Sequence, residues 1–177
     1  MSDSQHHNRL VKAYQRMLER VGDRLAHLEQ AEQQALVQLR NAIEHATDEA
    51  VELDELTRDE ARLVAGYVRR DLEDAGDYLA RTGRELRDWL KFDVEYMEQR
   101  LFDWFSQIAD HTRLDLLMFN AEIARGGHYY TGDVTGPGTL SCDHCAESLV
   151  FSAIGSIPSC PACHGTVFSR VSETEAA

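Results

Sequence analysis

The chain lacks most of what would suit it to a membrane, a nucleic acid or a familiar catalytic scheme. None of the apolar runs in its 177 residues approaches the roughly 20 needed to cross a bilayer. The opening stretch, residues 1–8, is polar and has no apolar core of the kind a secretory signal needs. Basic residues are scarce toward the C-terminus: the last 52 residues hold one, Arg170, against five acids. Nucleic-acid binding rests mainly on Lys and Arg neutralising phosphates, so direct binding by this part of the chain is not expected. Gly-rich phosphate loops, the Gly-x-Ser-x-Gly nucleophile turn and the His-Glu-x-x-His zinc motif are missing. There is no long internal repeat. These absences leave an enzymatic reading without a motif, and the expectation is a cytoplasmic, non-enzymatic protein.

What is present is acidity, helical periodicity and a compact set of cysteines. The formal net charge is −13, of which −9 lies up to Arg125 and −4 beyond it. Such a balance suits solubility. Carboxylates are abundant but have the spacing of solvated helix faces, as with Asp71 or Glu73 near Arg69 and Arg70, and no pair stands out as catalytic.

All four cysteines fall in two Cys-x-x-Cys pairs, Cys142 with Cys145 and Cys160 with Cys163, separated by fourteen residues. Each turn aims two sulfurs at one point, and two turns complete a tetrahedron of thiolates. Zinc is the ion that ligand softness and geometry favour; an iron centre has the same ligand set, and a redox dithiol is the other chemistry open to such pairs. Four protein ligands leave no open position for water, which points to one structural Zn²⁺ and not to hydrolysis. A β-module of about 50 residues has little apolar mass of its own, and structural zinc supplies on the order of 10–16 kcal/mol to such folds. His144, inside the first pair, and His164, directly after the second, are read as non-ligands. His164 stands where a knuckle often carries glycine, a position that asks for a left-handed backbone. His128, beside Tyr129 and Tyr130, is read as a satisfied strand histidine.

Before the cysteines the chain reads as helix. Tyr14, Leu18, Val21, Leu25, Leu28, Ala35, Leu39, Ala42 and Ala46 follow 4-3 spacing, broken only at Glu32, and predict one coiled-coil-like helix over about 8–46. From Asn41 to Thr57 there are six acids and no Lys or Arg, which predicts a solvated connection, helical in part. Thr57 and Glu60 have capping-box spacing and predict the start of a second helix. Its buried face is expected to be Ala61, Val64, Val68, Leu72, Ala75 and Leu79, with Arg69, Arg70, Asp71, Glu73 and Asp74 on the wet side, and Thr82–Gly83 as its end. A third helix is expected over about 84–109 and a short fourth after Thr112. Trp89, Phe92 and Tyr96 form a second apolar stripe on the third, a candidate partner surface.

Several segments resemble the bacterial zinc-ribbon family of unknown function typified by the YbeL protein. The resemblance rests on Glu55 to Glu60, on Arg69-Arg70-Asp71-Leu72-Glu73 and on Asp110 to Leu114. It continues through His128-Tyr129-Tyr130-Thr131-Gly132-Asp133-Val134, Gly138-Thr139-Leu140, the two knuckles and Phe168-Ser169-Arg170. It implies a helical N-terminal region, a C-terminal ribbon liganded by Cys142, Cys145, Cys160 and Cys163, and no known reaction.

The expected fold is therefore α plus small β: an antiparallel, coiled-coil-like helical region over 1–126, a zinc ribbon over 127–171 and a disordered tail over 172–177. Loss of one cysteine is expected to unfold the ribbon and spare the helices. The function that fits is an adaptor or regulator acting through an unidentified protein partner, with a homodimer through the helical region as a further expectation. The alternative is a regulator tied to the transcription or translation machinery, with direct or indirect nucleic-acid contact, and it rests only on analogy with other ribbons.

Overall fold

The structure, a computed structural model, describes residues 3–26, 35–82 and 128–171. Three helices, α1 (Asp3–Ala26), α2 (Ala35–Glu52) and α3 (Arg58–Thr82), precede six short strands. Each helix packs against the other two. The apolar spacing holds among the described residues, Leu28 lying outside them, but it serves two helices packed against each other. Tyr14, Leu18, Val21 and Leu25 of α1 meet Leu39, Ala42 and Ala46 of α2 in one buried core.

The segment expected to be a solvated connection is helical as far as Glu52. Small residues account for this. Ala42, Ala46 and Ala50, with Leu39 and Ile43, make a buried stripe at helical spacing, while the acids occupy the rest of the surface. The helix ends where Asp54 adopts a left-handed φ of 53° and the Glu55 amide reaches back to the Ala50 carbonyl at 3.1 Å. The expected capping box then starts α3. The Glu60 amide donates to Thr57 Oγ1 at 3.3 Å, and the Thr57 amide donates to the Glu60 carboxylate at 3.0 Å. From α1, Arg20 donates to both oxygens of Glu55, at 3.0 and 3.2 Å, and ties that helix to the turn.

The strands are β1 (Tyr129–Tyr130), β2 (Val134–Thr135), β3 (Gly138–Cys142), β4 (Ser148–Phe151), β5 (Gly155–Ser156) and β6 (Val167–Arg170). Four form an antiparallel sheet in the order β1-β6-β3-β4, and β2 pairs with β5 in a separate two-stranded ladder. Tyr129, Leu140, Cys142, Ile157, Cys160 and Phe168 form the core of the ribbon. Val134 instead joins the helical core, and Ile154 packs against its edge, so the β2–β5 ladder seats the ribbon on the helices.

That seat is ionic at its centre. Ala61, Val64, Val68, Leu72 and Ala75 are buried on α3 as expected, but Asp71 is fully buried too, and Arg70 nearly so. Both belong to a network that joins the helices to the ribbon, which overturns their placing on the wet side. Asp71 Oδ2 accepts from the Tyr14 hydroxyl at 2.7 Å and from the Gly136 amide at 2.6 Å. Its other oxygen lies 3.3 Å from the Arg170 guanidinium and 3.4 Å from that of Arg70. Arg70 also donates to Asp133 at 2.8 Å and to the Val134 carbonyl at 3.1 Å, and stacks 3.7 Å from the Tyr129 ring centre. Arg170 donates to Tyr129 Oη at 3.2 Å and Thr135 Oγ1 at 3.0 Å, while the Tyr129 hydroxyl donates to Asp74. Burial alone would lower the pKa of Arg170, but Tyr129, Asp71 and Asp74 raise it overall, so the buried guanidinium stays charged. Burial, and then Asp71, raise the Tyr14 phenol and hold it as a donor.

Candidate metal centre

The two cysteine pairs are one turn used twice. In the first knuckle the Cys142 amide donates to the Glu147 carbonyl and the Ala146 amide to the Cys142 carbonyl, both at 2.8 Å. In the second the Cys160 amide donates to the Gly165 carbonyl and the His164 amide to the Cys160 carbonyl, both at 2.9 Å. Ala146 and His164, each directly after the second cysteine of its pair, have left-handed φ values of 60° and 59°. His164 thus takes the backbone that was expected of it, and like His144 it is exposed. One residue on, Gly165 leaves little space for a side chain: a Cβ there would stand 3.1 Å from Cys142 Sγ and 3.2 Å from Cys163 Sγ.

These turns bring all four sulfurs within 4.8 Å of one another. Cys142 Sγ lies 3.6 Å from Cys163 Sγ, and Cys145 Sγ lies 3.5 Å from Cys160 Sγ. A disulfide needs about 2.05 Å. A tetrahedral ion with metal–sulfur bonds of about 2.3 Å separates its ligands by roughly 3.8 Å. The spacing fits a shared metal and excludes bonded pairs. Cys142 and Cys160 are buried, Cys163 is half-buried and Cys145 is exposed.

Cys160 and Cys145 do not ionise alike. Burial works to raise Cys160, but the amides of Cys163 and Ala162 outweigh it and bring that thiol down to about 7. The Glu147 amide favours a Cys145 thiolate, yet the crowding of the other three sulfurs drives that thiol up to about 12. One site ionises readily and its neighbour resists, as like charges at this distance must. A soft divalent cation at the centre would remove the conflict and would take all four as thiolates.

His128 is partnered, as expected, but not within a strand. It stands exposed just before β1, with Nδ1 3.3 Å from the Asp143 carboxylate, which also accepts from Ser169 Oγ at 2.8 Å. The stripe of Trp89, Phe92 and Tyr96 and the two helices expected over about 84–109 and after Thr112 fall outside the described residues, as do the side chain of Leu79 and the tail over 172–177. Sequence reasoning missed the network that seats the ribbon. Its members Arg70, Asp71, Tyr129, Asp133 and Arg170 all sit inside segments that carry the family resemblance. The isolation of Arg170 as the lone basic residue of the C-terminal part was a second signal.

Among the described residues no helix is long and apolar enough to cross a membrane. A groove of about 390 Å³ between α2 and α3, lined in part by Glu44, Thr47, Asp48, Arg62 and Arg69, shares no residue with the metal centre or the ionic network.

The comparisons with known proteins agree with this geometry. The uncharacterized protein YbeL of Escherichia coli (strain K12) is 27% identical over 163 residues, which is 92% of this chain and 96% of the relative. The versions from the O6:H1 and O157:H7 strains match to the same extent. No solved structure matches. The family profile described as "Zinc-ribbon containing domain" covers residues 26–172, all four cysteines included, and the chain belongs to that family.

Proposed function

We propose that the protein is a non-enzymatic adaptor or regulator that works through protein–protein contacts, with one structural Zn²⁺ holding the ribbon. The observation that carries this reading is the closed donor set: four cysteine sulfurs within 4.8 Å supply all four corners of a tetrahedron. Chemistry at the metal would need a corner for water or substrate. The ion instead lets six buried residues form a ribbon core that would be too small alone. Thiols kept as metal ligands suit a reducing compartment, which supports a cytoplasmic location.

Direct phosphate binding through the ribbon has little support, because the guanidinium of its one basic residue, Arg170, points into the internal network. The partner surface proposed from the sequence is the stripe of Trp89, Phe92 and Tyr96, which also suits a second copy of the chain. Affinity capture with the native chain and with a Trp89→Ser/Phe92→Ser/Tyr96→Ser variant tests the proposal. A defined partner retained by the native chain and lost by the variant is the expected result. Absence of any retained protein, with light scattering showing a monomer, would refute it.

A further inference from the structure

The metal ligand Cys142 and the helix residue Asp71 are the two ends of one packed path. Cys142 is the cross-strand neighbour of Phe168, and Phe168 pairs on its other side with Tyr129. All three are buried in the small ribbon core. Two residues beyond Phe168, on the same side of β6 by strand alternation, Arg170 leaves that core and reaches Asp71. Tyr129 leaves it beside Arg170 and donates to Asp74.

Asp71 collects both parts of the molecule. Arg170, Thr135 and Gly136 approach it from the ribbon, and Tyr14 of α1 and neighbouring Arg70 from the helices. Gly138 shows how closely the path is fitted. It has a φ of 141°, and a Cβ there would collide with the Arg170 guanidinium. If the sheet came apart, three of the five partners of a fully buried carboxylate would leave together. Val134 would also leave the helical core.

We propose that metal binding in the ribbon and the packing of α1 against α3 are thermodynamically coupled through Arg170 and Asp71. The inference rests on the structural-metal reading above. Coupling of this kind is reciprocal. Loss of the ion loosens the helices around Tyr14 and Asp71, and a change at Asp71, which touches no ligand cysteine, weakens the hold on the ion.

The test is hydrogen exchange read by mass spectrometry on the full chain, native and Asp71→Asn, with zinc and after its removal by a chelator. Zinc affinity is measured in parallel by competition with a chromogenic chelator. Removal of zinc from the native chain is expected to speed exchange around Tyr14 and over residues 64–75 by about tenfold or more. Asp71→Asn is expected to bind one zinc about tenfold more weakly. Unchanged exchange in the helices on zinc removal, or unchanged zinc affinity in a folded Asp71→Asn, overturns the coupling. Should that variant not fold, the native chain decides alone. If helical peptides stay protected while residues 129–170 open, the structural metal stands and only the coupling falls. If the ribbon also stays protected, both fall.

Discussion

Arg170, the last residue of β6, lies 3.3 Å from Asp71 in the middle of α3, with side chains 6% and 0% exposed. The pair joins the end of the ribbon to the centre of the helical core, and its ribbon member is the one basic residue among the last 52. A buried ion pair is weak evidence for net stability, but breaking one by removing a single partner is costly.

Arg170→Met keeps the apolar stem and deletes the guanidinium. It leaves Asp71 without its ribbon cation and takes one partner each from Thr135 and Tyr129. The expected loss is about 3–5 kcal/mol in denaturant unfolding of the zinc-loaded chain. Arg170→Lys should recover only part of this, because a single ammonium cannot serve Tyr129, Thr135 and Asp71 from one planar fork.

Gly138→Ala attacks the same contact from the backbone. The position combines a φ of 141° with the Arg170 guanidinium where a Cβ would stand. A loss of about 1–3 kcal/mol is expected, with the helix content at low temperature kept. Gly66→Ala is the control. Its Cβ meets nothing within 4 Å, and it lies within α3, so a slight gain is expected.

Asp74 gives a pH signature. Burial pushes its carboxyl up to about 6, against the opposing pull of the Tyr129 hydrogen bond and the Arg170 charge, with Asp71 and Arg70 also nearby. The native state therefore binds this proton more tightly than the unfolded chain does. Its contribution is present in full below about pH 4 and is lost as pH rises through about 6, an effect of up to roughly 3 kcal/mol. Asp74→Asn can still accept from Tyr129 but carries no titrating proton, so the native-minus-variant stability difference should fall as pH rises across that window. Unfolding curves of both chains between pH 4 and 8 read it, because the acid-labile cysteine site they share cancels in the difference.

Thr57→Ala removes the capping hydroxyl at the start of α3. A loss of about 1 kcal/mol is expected, read as a lowered thermal midpoint, with zinc stoichiometry unchanged.

Local signals in the sequence were sound wherever the physics is local. The knuckles follow from cysteine spacing, the capping box from Thr57 and Glu60, and the helix faces from 3.6-residue periodicity. Two readings failed for identifiable reasons. Residues 47–52, past the expected helix end at Ala46, looked like a connection because their acids were conspicuous, while Ala50, which continues the buried stripe, carries little hydrophobic signal. Asp71 and Arg70 looked wet because charge is the usual mark of a surface. Their partners, Arg170, Asp133 and Thr135, lie more than 60 positions along the chain, beyond any periodic pattern. Composition divides the chain near residue 126, and composition does not register the Arg170–Asp71 pair that crosses the division.

The structural role of the metal is tested most directly by elemental analysis combined with hydrogen exchange on the native chain and Cys160→Ser. One zinc per native chain and none in the variant is expected, with protection over residues 129–170 lost in the variant. A native chain without metal, or a Cys160→Ser chain that loses zinc yet keeps its ribbon protected, would contradict it.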